Sequence, residues 1–451
     1  MAVHGTVAAG FEGVREEFAA FLAGEEHAPG AQLVVHRGGE RVVDLWSDGV
    51  TGETLLDVFS STKGAAYLVT ALLVQDGVLD LDRTVASYWP DFAAEDKGGI
   101  TLRELLAHRA GVIGLDAGFT PLELADDRAI AALLAGQRPF WQPGRFFGYH
   151  GYVIGALVGE VVVRVTGRTL QQWYEERIRA PYGLDMWLGL PESEEPRFLS
   201  TLPMLPTPEQ QAEIDASPYS PYSLGGIAFN EHAPVSVELE NFANSRLVRA
   251  NGQASAGGIG SARGLAGMYA AAAFGLNGDG PLLKPDTAAE FARVHSEGND
   301  LVSGSQKAFG LGFNTIGCHF DSVGAGAFGH SGAAGSLAFA GPRQGYAYAY
   351  TRRRYAYPGG AAAENTRLLR SVVRGARVTR VGRAPQTSGP RLTLEASLCR
   401  PPYHQHSLEQ RDDRTRPHDL HAGRVIRTSD SALRHRRTRS PETTIDLGQV
   451  T

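Results

Sequence analysis

The chain has 451 residues, 43% hydrophobic and 20% charged, with a net charge of −6. That length and balance suit a soluble globular protein with a sizeable core, in one large domain or two or three smaller ones, and exclude a fibrous or wholly disordered chain. No apolar run reaches the roughly 20 residues that span a bilayer, since the stretch 152–165 is broken by Glu160 and Arg164.

The N-terminus lacks the basic and apolar layout of a secretory signal. The two cysteines, Cys318 and Cys399, make no disulfide framework, which fits a reducing compartment. Both features point to the cytoplasm. There is no H-E-x-x-H and no paired C-x-x-C, so neither a metal nor another cofactor is expected.

In chain order, Phe11, Val14, Phe18, Phe21 and Leu22 stand at helical spacing over residues 11–24. Residues 31–46 read as two strands around Gly38-Gly39, a hairpin. Phe59-Ser60-Ser61-Thr62-Lys63-Gly64 opens an apolar helix that ends near Gly77. Thr101, with Glu104 three residues later, has the form of a capping box, and Gly111 can stop that helix. Residues 121–137 and 151–178 read as further helices, with Pro143-Gly144 marking a loop before the second. Residues 186–235, rich in Pro, Ser and Gly, read as long surface loops. Another helix starts within 260–269. Strands follow at 310–316, 336–340 and 346–350, and then a short amphipathic helix at 363–375.

Strands at both ends with helices between predict an α+β fold. Its sheet comes from about 28–50 and 305–375, and a mostly helical and loop insertion occupies about 60–300 of a 5–376 domain. Beyond it, the periodicity fades. The last 81 residues hold fifteen arginines, no lysine and eight acidic residues, net +7, against −13 for the first 370. Residues 377–451 therefore read as an appended, disordered tail with no catalytic part. Interspersed acids such as Asp412, Asp413 and Asp419 argue against nucleic-acid binding.

The chemistry centres on Ser60 and Lys63. Residues three apart share a helix face, so the Lys63 amine stands beside the Ser60 hydroxyl. A serine needs a base to become a nucleophile, and burial lowers a lysine's pKa enough to make it one. With 26 serines and four lysines, chance alone gives about 0.2 S-x-x-K matches. The bland alternative is a first-turn serine beside a surface lysine, and the rest of the chain decides against it. Tyr149 precedes a helix and can share or take the serine proton, its phenolate form favoured by a cationic Lys63. Phe328-Gly329-His330-Ser331-Gly332-Ala333 opens a strand of small residues, and the N–H groups of Ala333 and Ser60 can form an oxyanion hole.

Other motifs carry less. Gly324-Ala325-Gly326-Ala327-Phe328-Gly329 matches G-x-G-x-x-G, but a strand follows it, so it reads as a hairpin loop. There is no G-x-S-x-G elbow. His108 and His150 read as structural, His330 as lining the pocket, and Lys97 and Trp89 as structural or surface residues.

The motifs together resemble the serine β-lactamase-related proteins, and within them the family VIII carboxylesterases. The carriers are Ser60-Ser61-Thr62-Lys63-Gly64, then Tyr149-His150-Gly151, then His330-Ser331-Gly332. Tyr88-Trp89-Pro90-Asp91-Phe92, Leu106-Ala107-His108-Arg109-Ala110-Gly111 and Ala180-Pro181-Tyr182-Gly183-Leu184-Asp185 add to them. The resemblance covers roughly residues 5–375. It implies the penicillin-binding-protein and class C β-lactamase fold, an antiparallel sheet flanked by helices with a helical domain. It implies catalysis by Ser60, Lys63 and Tyr149, with Ala333, His330, Ser331, Gly332 and Gly151 around the substrate.

Two departures bear on the substrate. Gly151 stands where β-lactamases carry Asn, and His330 where they carry Lys. Both weaken recognition of an anionic amide and point to a small uncharged carboxylic ester cleaved through an acyl-enzyme. The rivals are an acyltransferase on the same fold, a weak β-lactamase or D-amino-acid peptidase, and a non-catalytic binding protein. Neither nucleic acid nor a membrane is expected as a partner, and the oligomeric state stays open.

Overall fold

The computed structural model describes residues 1–216 and 220–381. The Arg-rich tail expected from 377 onward, with Cys399, lies outside the described residues apart from the end of the last helix. Among the described residues the strands are β1 (Val3–Val7), β2 (Ala31–Arg37), β3 (Glu40–Ser47), β4 (Leu56–Asp57), β5 (Met186–Trp187), β6 (Ile259–Gly260), β7 (Ser296–Asn299), β8 (Gln306–Phe309), β9 (Asn314–Thr315), β10 (Phe328–Ser331), β11 (Leu337–Gly341) and β12 (Tyr346–Arg352).

Nine of them form one antiparallel sheet in the order β1-β3-β2-β12-β11-β10-β9-β8-β7, and β4-β6-β5 form a small second sheet. The two chain ends meet where β2 pairs with β12. The α+β fold expected from strands at both ends is the fold observed. Gly38 and Gly39, at φ 54° and 86°, make the tight turn between β2 and β3; only glycine takes two such angles in succession without strain.

Side-chain size along β12 explains the layering. Tyr346, Tyr348 and Tyr350 face one way, into a core with Phe18, Leu22, Leu368 and Val372 from the helices Glu12–Gly24 and Asn365–Val381. Ala347 and Ala349 face the other way, into the core around the helices Lys63–Gln75 and Ala262–Ala273. Alternation puts successive residues on opposite faces. The alanines let the Ala-rich helix approach closely, and the tyrosines fill the wider gap, each contributing about 1.5–3 kcal/mol by burial.

Several expected elements shift. The helix begun by the Thr101–Glu104 capping box ends at Leu106, and the left-handed residue beyond it is His108 (φ 59°), ahead of Gly111. The expected 121–137 helix divides into Pro121–Leu124 and Asp127–Ala135. The expected 151–178 helix stops at Thr166, where Gly167 turns at φ 71°, and Thr169 caps a new helix at Leu170–Tyr174. Residues 186–235 hold β5 and the helices Pro208–Ala216 and Leu224–Ala228 as well as loops. The strands β1, β7 and β8 were not foreseen, the strand expected to open at Phe328 is β10, and the expected 310–316 strand shrinks to β9. The glycine-rich 324–327 stretch is the loop leading into β10, with no helix after it. Among the described residues no helix is long and apolar enough to cross a membrane.

Candidate active site

The site is built from the turn between β4 and the Lys63–Gln75 helix. Asp57 Oδ1 accepts the Phe59 N–H at 2.7 Å, and Phe59 sits at φ 46°. A left-handed non-glycine residue costs about 1–2 kcal/mol. Burial of its ring, edge-on to Tyr355 at 6.0 Å, offsets that cost. Residues Phe59–Thr62 form a 3-10 turn and Lys63 begins the α-helix. In a 3-10 turn, side chains three apart eclipse, and Lys63 Nζ lies 3.1 Å from Ser60 Oγ.

Every residue of this turn is tied down. Ser61 Oγ lies 3.2 Å from His330 O and 3.0 Å from Ser336 Oγ, and its one O–H can donate to either. Thr62 Oγ1 accepts the Gly258 N–H at 2.9 Å. Ser336 Oγ also donates to Val58 O. This seam holds β10 and the residues after it against the turn that carries Ser60. A Cβ on Gly332 would stand 2.3 Å from both Ser336 Oγ and Val58 O, so only glycine fits there. Among the described residues, neither the Ser60 nor the Ala333 backbone N–H donates within the fold.

Lys63 is wholly buried. Its Nζ donates to Ser255 O at 2.8 Å and sits 4.9 Å from the centre of the Tyr149 ring. Among the described residues no carboxylate pairs with it. Desolvation therefore drives its pKa well below the ordinary lysine range.

Tyr149 stacks on Phe309 at 6.1 Å and lies 5.4 Å from the His108 ring and 5.9 Å from the His330 ring. Its hydroxyl is buried and closes no hydrogen bond of good geometry. Burial pushes its pKa up, Ser60 pulls it partly back, and Asp300 adds to the rise. This corrects the expected phenolate. Burial of the ring and hydroxyl outweighs the pull of Ser60, so the phenol form of Tyr149 is favoured over the phenolate.

His330 is buried, and its Nδ1 meets Ser331 O at 2.7 Å, which leaves Nε2 without a partner. Burial lowers its pKa to about 3, so it is neutral at pH 7. Gly151 lies behind Tyr149, where a Cβ would meet Ala228 O at 3.0 Å and Phe229 Cε1 at 3.3 Å. His108 Nδ1 accepts the His150 N–H at 3.2 Å, and His150 Nδ1 reaches Gly148 O at 2.8 Å. The two histidines bond to each other and to backbone. Lys97 is fully buried, with Nζ on Ala94 O and Gln137 O, and Trp89 is buried too, so both are interior residues.

Sequence reasoning passed over Asp57, Phe229, Ser336 and the Gln253–Ser255 loop. Only the glycine-rich run 257–260 hinted that backbone packs closely there.

The structure of EstA from Arthrobacter nitroguajacolicus Rue61a is 38% identical, with a TM-score of 0.77 over 84% of this chain and all of that one. A family VIII carboxylesterase structure is 32% identical, with a TM-score of 0.72 over 83% of this chain and all of that one. The esterase/beta-lactamase LipL of Mycobacterium tuberculosis is 31% identical over 206 residues, 43% of this chain and 47% of LipL. The chain spans about half the length of the curated relatives it matches. The Beta-lactamase family model matches residues 14–372, and the chain belongs to that family.

Proposed function

We propose that this chain is a serine esterase that cleaves small uncharged carboxylic esters through an acyl-enzyme on Ser60. The observation that carries this reading is the buried amine of Lys63, 3.1 Å from Ser60 Oγ with its pKa driven down. The relatives named esterases and carboxylesterase support it.

In the first step, the Ser60 hydroxyl proton passes to Lys63 Nζ as Oγ attacks the ester carbonyl. The tetrahedral oxyanion is held by the Ser60 and Ala333 N–H groups. Tyr149, a phenol whose ring lies 4.9 Å from the amine, passes a proton to the departing alkoxide and is reprotonated from Lys63. Water then attacks the acyl-enzyme by the reverse relay, freeing the acid. Two residues of the expected substrate site support this substrate class. His330 is neutral, so no fixed cation awaits a carboxylate, and Gly151 offers no amide to an acylamide group.

The test is hydrolysis of p-nitrophenyl esters from acetate to decanoate, with fluorophosphonate labelling read by intact mass. Ser60→Ala, Lys63→Ala and Tyr149→Phe are each expected to lose most activity, non-additively, because the three act as a unit. The label is expected on Ser60. Turnover near wild type in Ser60→Ala overturns the assignment. Nitrocefin turnover exceeding ester turnover would favour a β-lactamase, and partition of the acyl group to added alcohol would favour an acyltransferase.

A further inference from the structure

We propose that Gln253 and Ser255 are positioning residues: their loop clamps the segment carrying Tyr149 to the amine of Lys63 and sets the separation of the two. The inference rests on the esterase reading above.

The clamp is a complete set of hydrogen bonds. Gln253 and Ser255 are both 0% exposed. Gln253 Nε2 donates to Tyr152 O at 2.6 Å, three residues beyond Tyr149. Its Oε1 accepts the N–H groups of Ser255 at 3.1 Å and Ala256 at 2.7 Å, which curls the loop. Ser255 faces both ways. Its carbonyl accepts from Lys63 Nζ at 2.8 Å, and its Oγ accepts the Gly155 N–H at 2.8 Å. Gly155 lies in the first turn of the Ile154–Thr166 helix, whose own N-cap, Val153, supplies no side-chain bond. A hydroxyl 100 residues away in sequence fills that role.

Two further contacts stop the loop from sliding. Asp127 accepts the Ala254 N–H at 3.0 and 3.3 Å. A Cβ on Gly155 would stand 2.5 Å from the Ala254 carbonyl carbon, so backbone lies on backbone with no side chain between.

The chemical consequence follows from what each atom can do. A carbonyl only accepts, so Lys63 must direct one N–H at Ser255 O. A neutral amine has two N–H bonds and one lone pair. With one N–H committed, rotation about Cε–Nζ is restricted and the lone pair can be kept on the Ser60 side. The titratable groups facing Lys63 are Tyr149, His108 and His330. Since the clamp also grips the Tyr149 segment, loosening it changes base and relay together.

The experiment compares wild type with Ser255→Ala, which keeps the carbonyl and removes the cap, and with Ser255→Thr, which restores a hydroxyl. Readouts are kcat and KM on a p-nitrophenyl ester, the pH profile of kcat/KM, the rate of Ser60 labelling by a fluorophosphonate, and Tm. Ser255→Ala is expected to lose about tenfold or more in kcat with KM held within about twofold, as small misplacements do. The acid limb of its profile is expected to move, and Ser255→Thr to recover most of the loss. A folded Ser255→Ala with the wild-type kcat and acid limb overturns the clamp. So does a lowered Tm as the sole change. Should Ser255→Ala not fold, Gln253→Met replaces it. That variant removes both the donor to Tyr152 O and the acceptor of the Ser255 and Ala256 N–H groups, and the same split between kcat and KM decides. If wild type is itself inactive and unlabelled at Ser60, the esterase reading falls. If wild type is active and labelled and the variants match it, only the clamp falls.

Discussion

A lysine serves as a base near neutrality only where its charged form is penalised, and at Lys63 burial alone applies the penalty. On the acid side, kcat/KM is expected to rise with pH as Lys63 loses its proton, with a midpoint well below the ordinary 10.5. On the alkaline side, Tyr149 keeps its proton beyond the ordinary 10.0, since burial raises its pKa, so no loss from phenol ionisation is expected below that pH. A pH profile whose acid limb sits near 10 would contradict this picture. A second residue-scale expectation concerns Gly151. A side chain there meets Ala228 O and the Phe229 ring, so Gly151→Asn is expected to cost about 1–3 kcal/mol by overpacking. It is not expected to confer nitrocefin turnover; thermal melts and a nitrocefin assay check both halves. Ser60, Lys63 and Tyr149 were legible because their spacing is local or their order along the chain is distinctive. The protonation state of Tyr149 was not, because its sign depends on burial by Phe309 and His108, more than 40 residues away on either count.

Elements with a local signature were legible in the same way. The Gly38-Gly39 hairpin and the Thr101–Glu104 capping box each need only adjacent residues. Strands of two to four residues such as β7, β8 and β9 were not, because so short a run has no period and pairing alone defines it. The Gln253–Ser255 loop escaped because its partners, Lys63 and Gly155, are 192 and 100 residues distant. The packing of the Lys63–Gln75 helix on the Ala262–Ala273 helix yields a test at this scale. A Cβ on Gly64 would lie 2.3 Å from Tyr269 Oη, 3.1 Å from its Cζ and 3.3 Å from Met268 Cε. Tyr269 Oη has no hydrogen-bond partner, so its removal forfeits little. Gly64→Ala is therefore expected to destabilise by about 1–3 kcal/mol. Tyr269→Phe is expected to restore much of that loss, a coupling of about 0.5–3 kcal/mol in a double-mutant cycle by urea unfolding. Additive single effects would mean that the two helices do not meet at this contact.

Across the whole molecule, buried titratable groups pull stability in opposite directions with pH. Burial lowers His150 to about 4 and His330 to about 3 from 6.5. Their contribution is fully present above 6.5 and is lost as pH falls through the folded values. Burial raises Asp57 to about 8 and Asp127 to about 6 from 3.8. Their contribution is fully present below 3.8 and is lost as pH rises through the folded values. Each pKa unit is worth about 1.4 kcal/mol, so the two sets are of similar size and oppose each other between about pH 4 and 6.5. The two sets partly cancel there, with His319 and His108, also lowered by burial, adding to the histidine side, and removing one group should expose the rest. In His330→Gln the unfolded state no longer takes up that proton. The variant is expected to gain about 2–3 kcal/mol relative to wild type between pH 6.5 and 4.5. Asp57→Asn is expected to do the reverse, gaining relative to wild type as pH rises from 4 to 8. Urea unfolding of the three proteins at pH 4.5, 6.5 and 8 separates these slopes. Parallel pH dependence in wild type and both variants would mean that these groups titrate alike in the folded and unfolded chain, and that the turn carrying Ser60 and the end of β10 admit water where the structure places them in the interior.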